Sequence, residues 1–115
     1  MRALLLSVVA FFVMTGLPAP AQATTAAAAA SCPAGHVCLY NGTAGQGYQV
    51  CAVEISTRVS CRNVRSAVNN GVSDPGKNDA RLYDAQNKEI TCVRRGQTRN
   101  LGGLRHVYRV QWGTC

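Results

Sequence analysis

Every cysteine of this 115-residue chain lies between Cys32 and Cys115, and none precedes that stretch. A unit of this size is where a lone hydrophobic core is marginal and covalent staples are common. Six thiols, Cys32, Cys38, Cys51, Cys61, Cys92 and Cys115, therefore point to three disulfides in an oxidising compartment, each contributing roughly 2 to 4 kcal/mol. Cys32 with Cys38 is the pairing that geometry supports best. Pro33 and Gly35 allow the intervening residues to bend back and bring the two Cα atoms within about 4.4 to 6.8 Å. Cys51 with Cys61 and Cys92 with Cys115 follow only from proximity and from the need to fasten the C-terminus, and other pairings stay open. A zinc site would need close Cys-x-x-Cys or His pairs, which do not occur, so no metal and no cofactor is expected.

The residues ahead of Cys32 agree with export. Met1-Arg2 is a short positive start, Ala3 to Met14 is apolar, and Ala21-Gln22-Ala23 is an Ala-x-Ala cleavage pattern. Residues 1–23 thus read as a secretory signal peptide. The apolar run of about 12 residues falls short of the roughly 17 to 25 that a spanning helix needs. Residues 24–31 form an Ala/Thr-rich lead expected to be disordered, and residues 32–115 a single folded domain. The expected product is a secreted, extracellular monomer with no membrane segment after cleavage.

Within the domain the pattern is one of short strands and turns. Val37 to Tyr40 and Tyr48 to Val53 flank a Gly-rich turn, Glu54 to Arg62 reads as a polar connection with Ile55 as its buried candidate, and Val64 to Val68 returns as a strand. Ala80 to Tyr83 and Glu89 to Val93 repeat the plan around a turn in which Asn87 takes the left-handed conformation. Leu39-Tyr40 to Cys51 then matches Leu82-Tyr83 to Cys92, and Val64 to Val68 matches Leu104 to Tyr108. In the last strand Tyr108, Val110 and Trp112 are expected inward, with Arg109 and Gln111 outward. No amphipathic helix of useful length occurs. The fold class predicted is an all-β sandwich of two four-stranded motifs.

Eleven Lys/Arg against five Asp/Glu give residues 31–115 a net charge of +6, which suits an acidic partner but equally a solvated exterior, the reading favoured here. No nucleic-acid motif is present, and the basic residues are not interleaved with aromatics. His36 and His106 lack the neighbours of a triad or an acid/base pair, so an enzyme is not expected.

Two stretches carry a family resemblance. The opening Cys32-Pro33-Ala34-Gly35-His36-Val37-Cys38-Leu39-Tyr40 and the segment Lys88-Glu89-Ile90-Thr91-Cys92-Val93-Arg94 resemble the secreted actinobacterial proteins typified by the Streptomyces metalloproteinase inhibitor. The resemblance implies a βγ-crystallin-like Greek-key fold, a bridge between the first two cysteines, and a substrate-like reactive segment. Matched residue by residue, that segment is Thr91, Cys92, Val93 and Arg94, with the bond presented to the protease between Cys92 and Val93. The implied partner is an extracellular protease, a thermolysin-like zinc metalloendopeptidase, whose apolar pocket a protruding Val93 would fill. The chain departs from the family in one respect: Arg94-Arg95-Gly96-Gln97-Thr98 lacks the second cysteine that closes the family's loop. The competing reading of Ile90 to Val93 is a core strand with Val93 buried.

Two other functions compete with inhibition. Calcium binding of the crystallin type would use Arg62-Asn63-Val64-Arg65-Ser66-Ala67, but Arg62 and Ala67 replace ligand positions. A cationic exported effector acting at an anionic cell surface fits the charge and the disulfide scaffold.

Overall fold

The computed structural model describes residues 31–115; the expected leader and all but the last residue of the Ala/Thr-rich lead lie outside the described residues. Six strands follow in order: β1 (His36–Tyr40), β2 (Gln49–Val53), β3 (Thr57–Asn70), β4 (Asp79–Tyr83), β5 (Glu89–Val93) and β6 (Thr98–Gly113), with one short 3-10 turn at Thr43–Gly45. They form a sheet in the order β2-β1-β3-β6-β4-β5, with every neighbouring pair antiparallel. The all-β class expected from the sequence is what is observed.

The sheet is not flat. Val37, Leu39 and Val53 of one wing share a buried core with Ala80, Leu82 and Val93 of the other, together with Cys61, Val64, Val107 and Val110 from the two strands between them. In a flat sheet β1 and β4 would stand three strand spacings apart, about 14 Å, too far for their side chains to meet. The long central strands therefore bend. Residues 66–70 of β3 pair with β1, and of these 66–68 also pair with residues 98–100 of β6, whereas residues 57–64 of β3 pair with residues 105–110 of β6. The register slips between Cys61 and Val64 and again between Val64 and Ser66. Asn63 sits in the first slip at φ 57°, and Gly102 and Gly103 take φ 76° and 128° in the extra stretch of β6. Left-handed residues at a bulge give a paired strand its change of direction.

The internal duplication is visible in the hairpins. β1 pairs with β2 through Val37↔Val53 and Leu39↔Cys51, with a slip at Leu39/Tyr40; β4 pairs with β5 through Ala80↔Val93 and Leu82↔Thr91, with a slip at Leu82/Tyr83. The hairpins are also tied down alike. Ser66 Oγ donates to Gly42 O at 2.6 Å and accepts from Gly45 N at 2.8 Å, while Arg109 Nε donates to Asn87 Oδ1 at 3.0 Å. Ser66 lies opposite Tyr40, and Arg109 lies opposite Tyr83.

These registers correct the expected repeat in two places. The counterpart of Cys51 is Thr91, one residue before Cys92, so Cys51 pairs beside Leu39 whereas Cys92 pairs beside Arg81. A one-residue offset turns a side chain to the opposite face. Likewise Val64 to Val68 corresponds to residues 107–111, not 104–108, because Gly102 and Gly103 lengthen β6. The same irregularity breaks the expected alternation: Val107 and Val110 are buried, Tyr108 is exposed and Trp112 is partly buried against the core. The stretch expected as a polar connection belongs mostly to β3, and Ile55 is 67% exposed. Asn87 is left-handed as expected, at φ 59°.

Three disulfides staple the domain: Cys32–Cys38, Cys51–Cys61 and Cys92–Cys115. The first packs with Tyr40 and Val68 in a small cluster of its own. The second fastens β2 to β3, and the third ties β5 to the C-terminus. If both wings feed one core, Leu39→Ala and Leu82→Ala should each cost about 2 to 5 kcal/mol and shift a single cooperative transition in urea. A biphasic curve for Leu82→Ala would instead show that the wings are separate.

Candidate functional site

Between β5 and β6 the sequence runs Arg94-Arg95-Gly96-Gln97, and the two neighbouring arginines need a turn that projects them outward. Gly96 supplies it at φ 78°, a left-handed conformation that costs a residue with a Cβ roughly 1 to 2 kcal/mol. Gln97 N donates to Arg94 O at 3.0 Å and closes the turn. All four residues are exposed.

The turn is held from below by parts of the chain remote in sequence. Asn69, at the end of β3, is 1% exposed, and its main chain brackets the turn: Asn69 N donates to Gln97 O at 3.0 Å, and Gly96 N donates to Asn69 O at 2.8 Å. Its side chain does as much again. Asn69 Nδ2 donates to Val93 O at 2.8 Å and to Asn78 O at 3.0 Å, and Asn69 Oδ1 accepts from Gly71 N at 2.8 Å. A buried amide with both donors and its acceptor engaged fixes whatever it touches, because releasing any of these bonds strands a polar group. Asp79 adds a second tie. Its Oδ1 accepts from Arg95 N at 3.2 Å and its Oδ2 from Cys115 N at 2.9 Å. The Cys92–Cys115 disulfide then binds the C-terminus to β5 beside the turn.

The residues singled out from the sequence are divided by this geometry. Arg94 is exposed, Thr91 and Cys92 are half-buried, and Val93 is 0% exposed in the main core. The expectation of a protruding Val93 is therefore corrected. Val93 occupies in the second hairpin the place of Val53 in the first, each at a buried position of the same register. It cannot fill a partner's pocket while β5 stays paired. Gly96 and Asn69 were not singled out from the sequence. Arg-Gly-Gln carried a local turn signal, but nothing in the order of residues announces that Asn69 reaches the turn.

Two further features adjoin the turn. β5 is the outermost strand on its side of the sheet, so its outer backbone groups have no strand partner. An open groove of about 620 Å³ runs along it, lined by residues that include Ile90, Thr91, Arg94, Gln97 and Arg99. Among the described residues, no three His, Cys, Asp or Glu side chains converge as a metal site requires. What the arrangement offers is a rigid cationic protrusion flanked by an extended edge, and a segment already fixed loses little entropy when bound.

Asn69→Ala should leave Val93 O, Asn78 O and Gly71 N unpaired, lowering stability by on the order of 2 kcal/mol or more. Amide exchange at Arg95 and Gly96, followed by NMR, should accelerate more than exchange in β1 and β2. Equal acceleration everywhere would show that Asn69 supports the fold but not the turn in particular.

Comparison with known proteins places this geometry. The model of Peptidase inhibitor family I36 matches residues 25–94, more than half of the chain, from the Ala/Thr-rich lead through Arg94 at the start of the turn. No curated protein and no solved structure matches the chain. The match takes in the opening Cys32–Cys38 hairpin, the buried Asn69 and the β5 segment that leads into the turn, and the chain belongs to peptidase inhibitor family I36.

Proposed function

We propose that this non-enzymatic inhibitor is secreted, acts as a monomer on an extracellular thermolysin-like zinc metalloendopeptidase, and engages it through the Arg94–Gln97 turn and the adjoining edge of β5. Membership of the family supports a protease as partner, and three disulfides are consistent with an extracellular setting. The single observation that carries the site is the pinning of an exposed turn by a buried asparagine. Such a turn meets a cleft without reorganising, and Arg94 and Arg95, which face no carboxylate within ion-pair distance, speed encounter with an acidic rim.

The arginine contacts in this reading lie downstream of the Cys92–Val93 bond, and the edge of β5 lies upstream of it. With Val93 in the core, specificity passes to Arg94 and Arg95 side chains and to the groove beside Thr91. The fold is read as βγ-crystallin-like. β1, β2 and the two halves of β3 make one four-stranded motif, and β4, β5 and the two halves of β6 make the other, an assignment supported by the shared core and the matching hairpin slips.

The test is titration of a thermolysin-type protease with the oxidised chain. Stoichiometric inhibition is expected, weakened about tenfold or more in an Arg94→Ala/Arg95→Ala variant. Val93→Ala should lower stability while leaving inhibition by the folded fraction close to unchanged. Inhibition that survives loss of both arginines but not Val93→Ala would return the site to the Cys92–Val93 bond. Inhibition of a trypsin-like protease in place of the zinc enzyme would keep the turn and change the target.

A further inference from the structure

The positive charge of this domain is not spread evenly. β3 and β6 carry Arg58, Arg62, Arg65, Arg99, Arg105 and Arg109, and neither strand has an acidic residue; all five carboxylates, from Glu54 to Glu89, lie on other elements. Among the described residues the one carboxylate ion pair is His36 with Glu54 at 3.8 Å, so no arginine of these strands is neutralised. β3 and β6 are also neighbours at the centre of the sheet, which turns two basic strands into one basic ribbon.

The concentration is greatest where Arg58 stands directly opposite Arg109. Like charges facing each other across an antiparallel pair are destabilising. Arg109 is held in place nonetheless: it lies 3.8 Å over the Tyr83 ring and donates to Asn87 Oδ1 at 3.0 Å and to Gln111 Oε1 at 2.8 Å. Asp84, the nearby acid, is engaged elsewhere, accepting from Gln86 N and Lys88 N through Oδ1. Around these two arginines opens a groove of about 610 Å³ whose lining includes Tyr108, which is 38% exposed. One guanidinium is pre-positioned, a second is exposed, and an aromatic ring with a hydroxyl lines the same groove.

We infer that the β3–β6 ribbon binds an anionic polysaccharide, with the Arg58–Arg109–Tyr108 groove seating one acidic sugar and Arg62 meeting a second charge a few sugars along the chain. Bidentate guanidinium contacts suit a carboxylate, and a tyrosine hydroxyl beside them suits the hydroxyls of a sugar. A strand rises about 3.3 Å per residue, so Arg58 and Arg62 stand about 13 Å apart along β3, a distance that several linked sugars can bridge and one small ion cannot. Nucleic acid fits less well, since bases stack on open aromatic faces and here Tyr83 lies under Arg109 while Tyr108 stacks on His106 at 3.9 Å. A lipid surface fits less well too, because Leu104 is the sole large aliphatic exposed on either strand among the described residues. The Arg58–Arg109–Tyr108 groove shares no lining residue with the groove beside the Arg94–Gln97 turn, so its failure leaves the inhibitory reading standing.

The test is calorimetric or sedimentation binding of the oxidised full chain to polygalacturonate, with neutral dextran and single-stranded DNA as the other arms. Binding to polygalacturonate, weakened by salt and absent with dextran, is expected. Arg58→Gln combined with Arg62→Gln should weaken it about tenfold, Tyr108→Ala severalfold, and Arg94→Gln hardly at all. Arg58→Glu provides a folded control, since it replaces the like-charge pair with an Arg109 ion pair and should remove binding while raising stability. Binding that ignores the Arg58, Arg62 and Tyr108 substitutions, or that favours DNA, would overturn the assignment.

Discussion

The structure depends on one packing constraint: Leu39 and Leu82, on hairpins that a flat sheet would hold apart, are buried in the same core. A chain this small cannot stabilise two separate cores, so the sheet must close over itself. Closure in turn requires β3 and β6 to bend, and the left-handed residues Asn63, Gly102 and Gly103 stand where their registers slip. Their bends give each central strand two partners and turn four short strands and two long ones into a single cooperative unit. The disulfides complement strand pairing, since Cys51–Cys61 joins β2 to β3, which lie on either side of β1, and Cys92–Cys115 joins β5 to the segment after β6, which lie on either side of β4.

The same bend positions the site. The end of β3 is carried across to the turn that joins β5 to β6, which is how Asn69 comes to lie beneath Gly96 and Gln97. The turn therefore inherits its order from the core through a buried side chain. Stiffness at a surface loop usually comes from its own short-range closure; here it comes from a residue 27 positions earlier, counting from Asn69 to Gly96. Val93 is the link between the two, its side chain in the core and its carbonyl on Asn69 Nδ2. That double role is the physical reason Val93 is a structural residue, although it stands beside the bond that the family resemblance draws attention to.

Much of this was legible in the sequence, because local chemistry decided it. The Pro/Gly turn between Cys32 and Cys38, the left-handed Asn87, the paired Leu-Tyr steps and the absence of helical periodicity all state their structure within a few residues. What the sequence left unread depends on counting across irregularities. Thr91, not Cys92, matches Cys51 because the slips at Tyr40 and Tyr83 and the unequal turns between hairpin strands change the count. Tyr108 points outward because β6 loses strict alternation between Val107 and Val110. Asn69 stands before Asn70-Gly71 with nothing nearby to mark it, and its capacity to satisfy a distant turn is a property of the folded sheet alone. Charge was similarly half-visible: the excess of arginine is plain in the composition, whereas the gathering of six arginines on two adjacent strands needs the strand order.

Loss of the second loop cysteine found in the resembling family changes how the turn responds to stress. A short covalent loop stays ordered when the surrounding protein loosens, because its closure is local. In this chain Cys92 instead reaches Cys115, 23 positions away, and the turn is closed by Gln97 N donating to Arg94 O and held by hydrogen bonds with Asn69 and Asp79. A disulfide spanning a longer loop removes more freedom from the unfolded chain. It does less to hold the few residues next to it. The order of Arg94–Gln97 is thereby coupled to the whole fold: whatever separates β3 from β5 releases the turn, and whatever tightens the shared core stiffens it. A partner that binds only the ordered turn stabilises the closed sheet by the same linkage, so binding at the surface and packing between Leu39 and Leu82 report on one equilibrium.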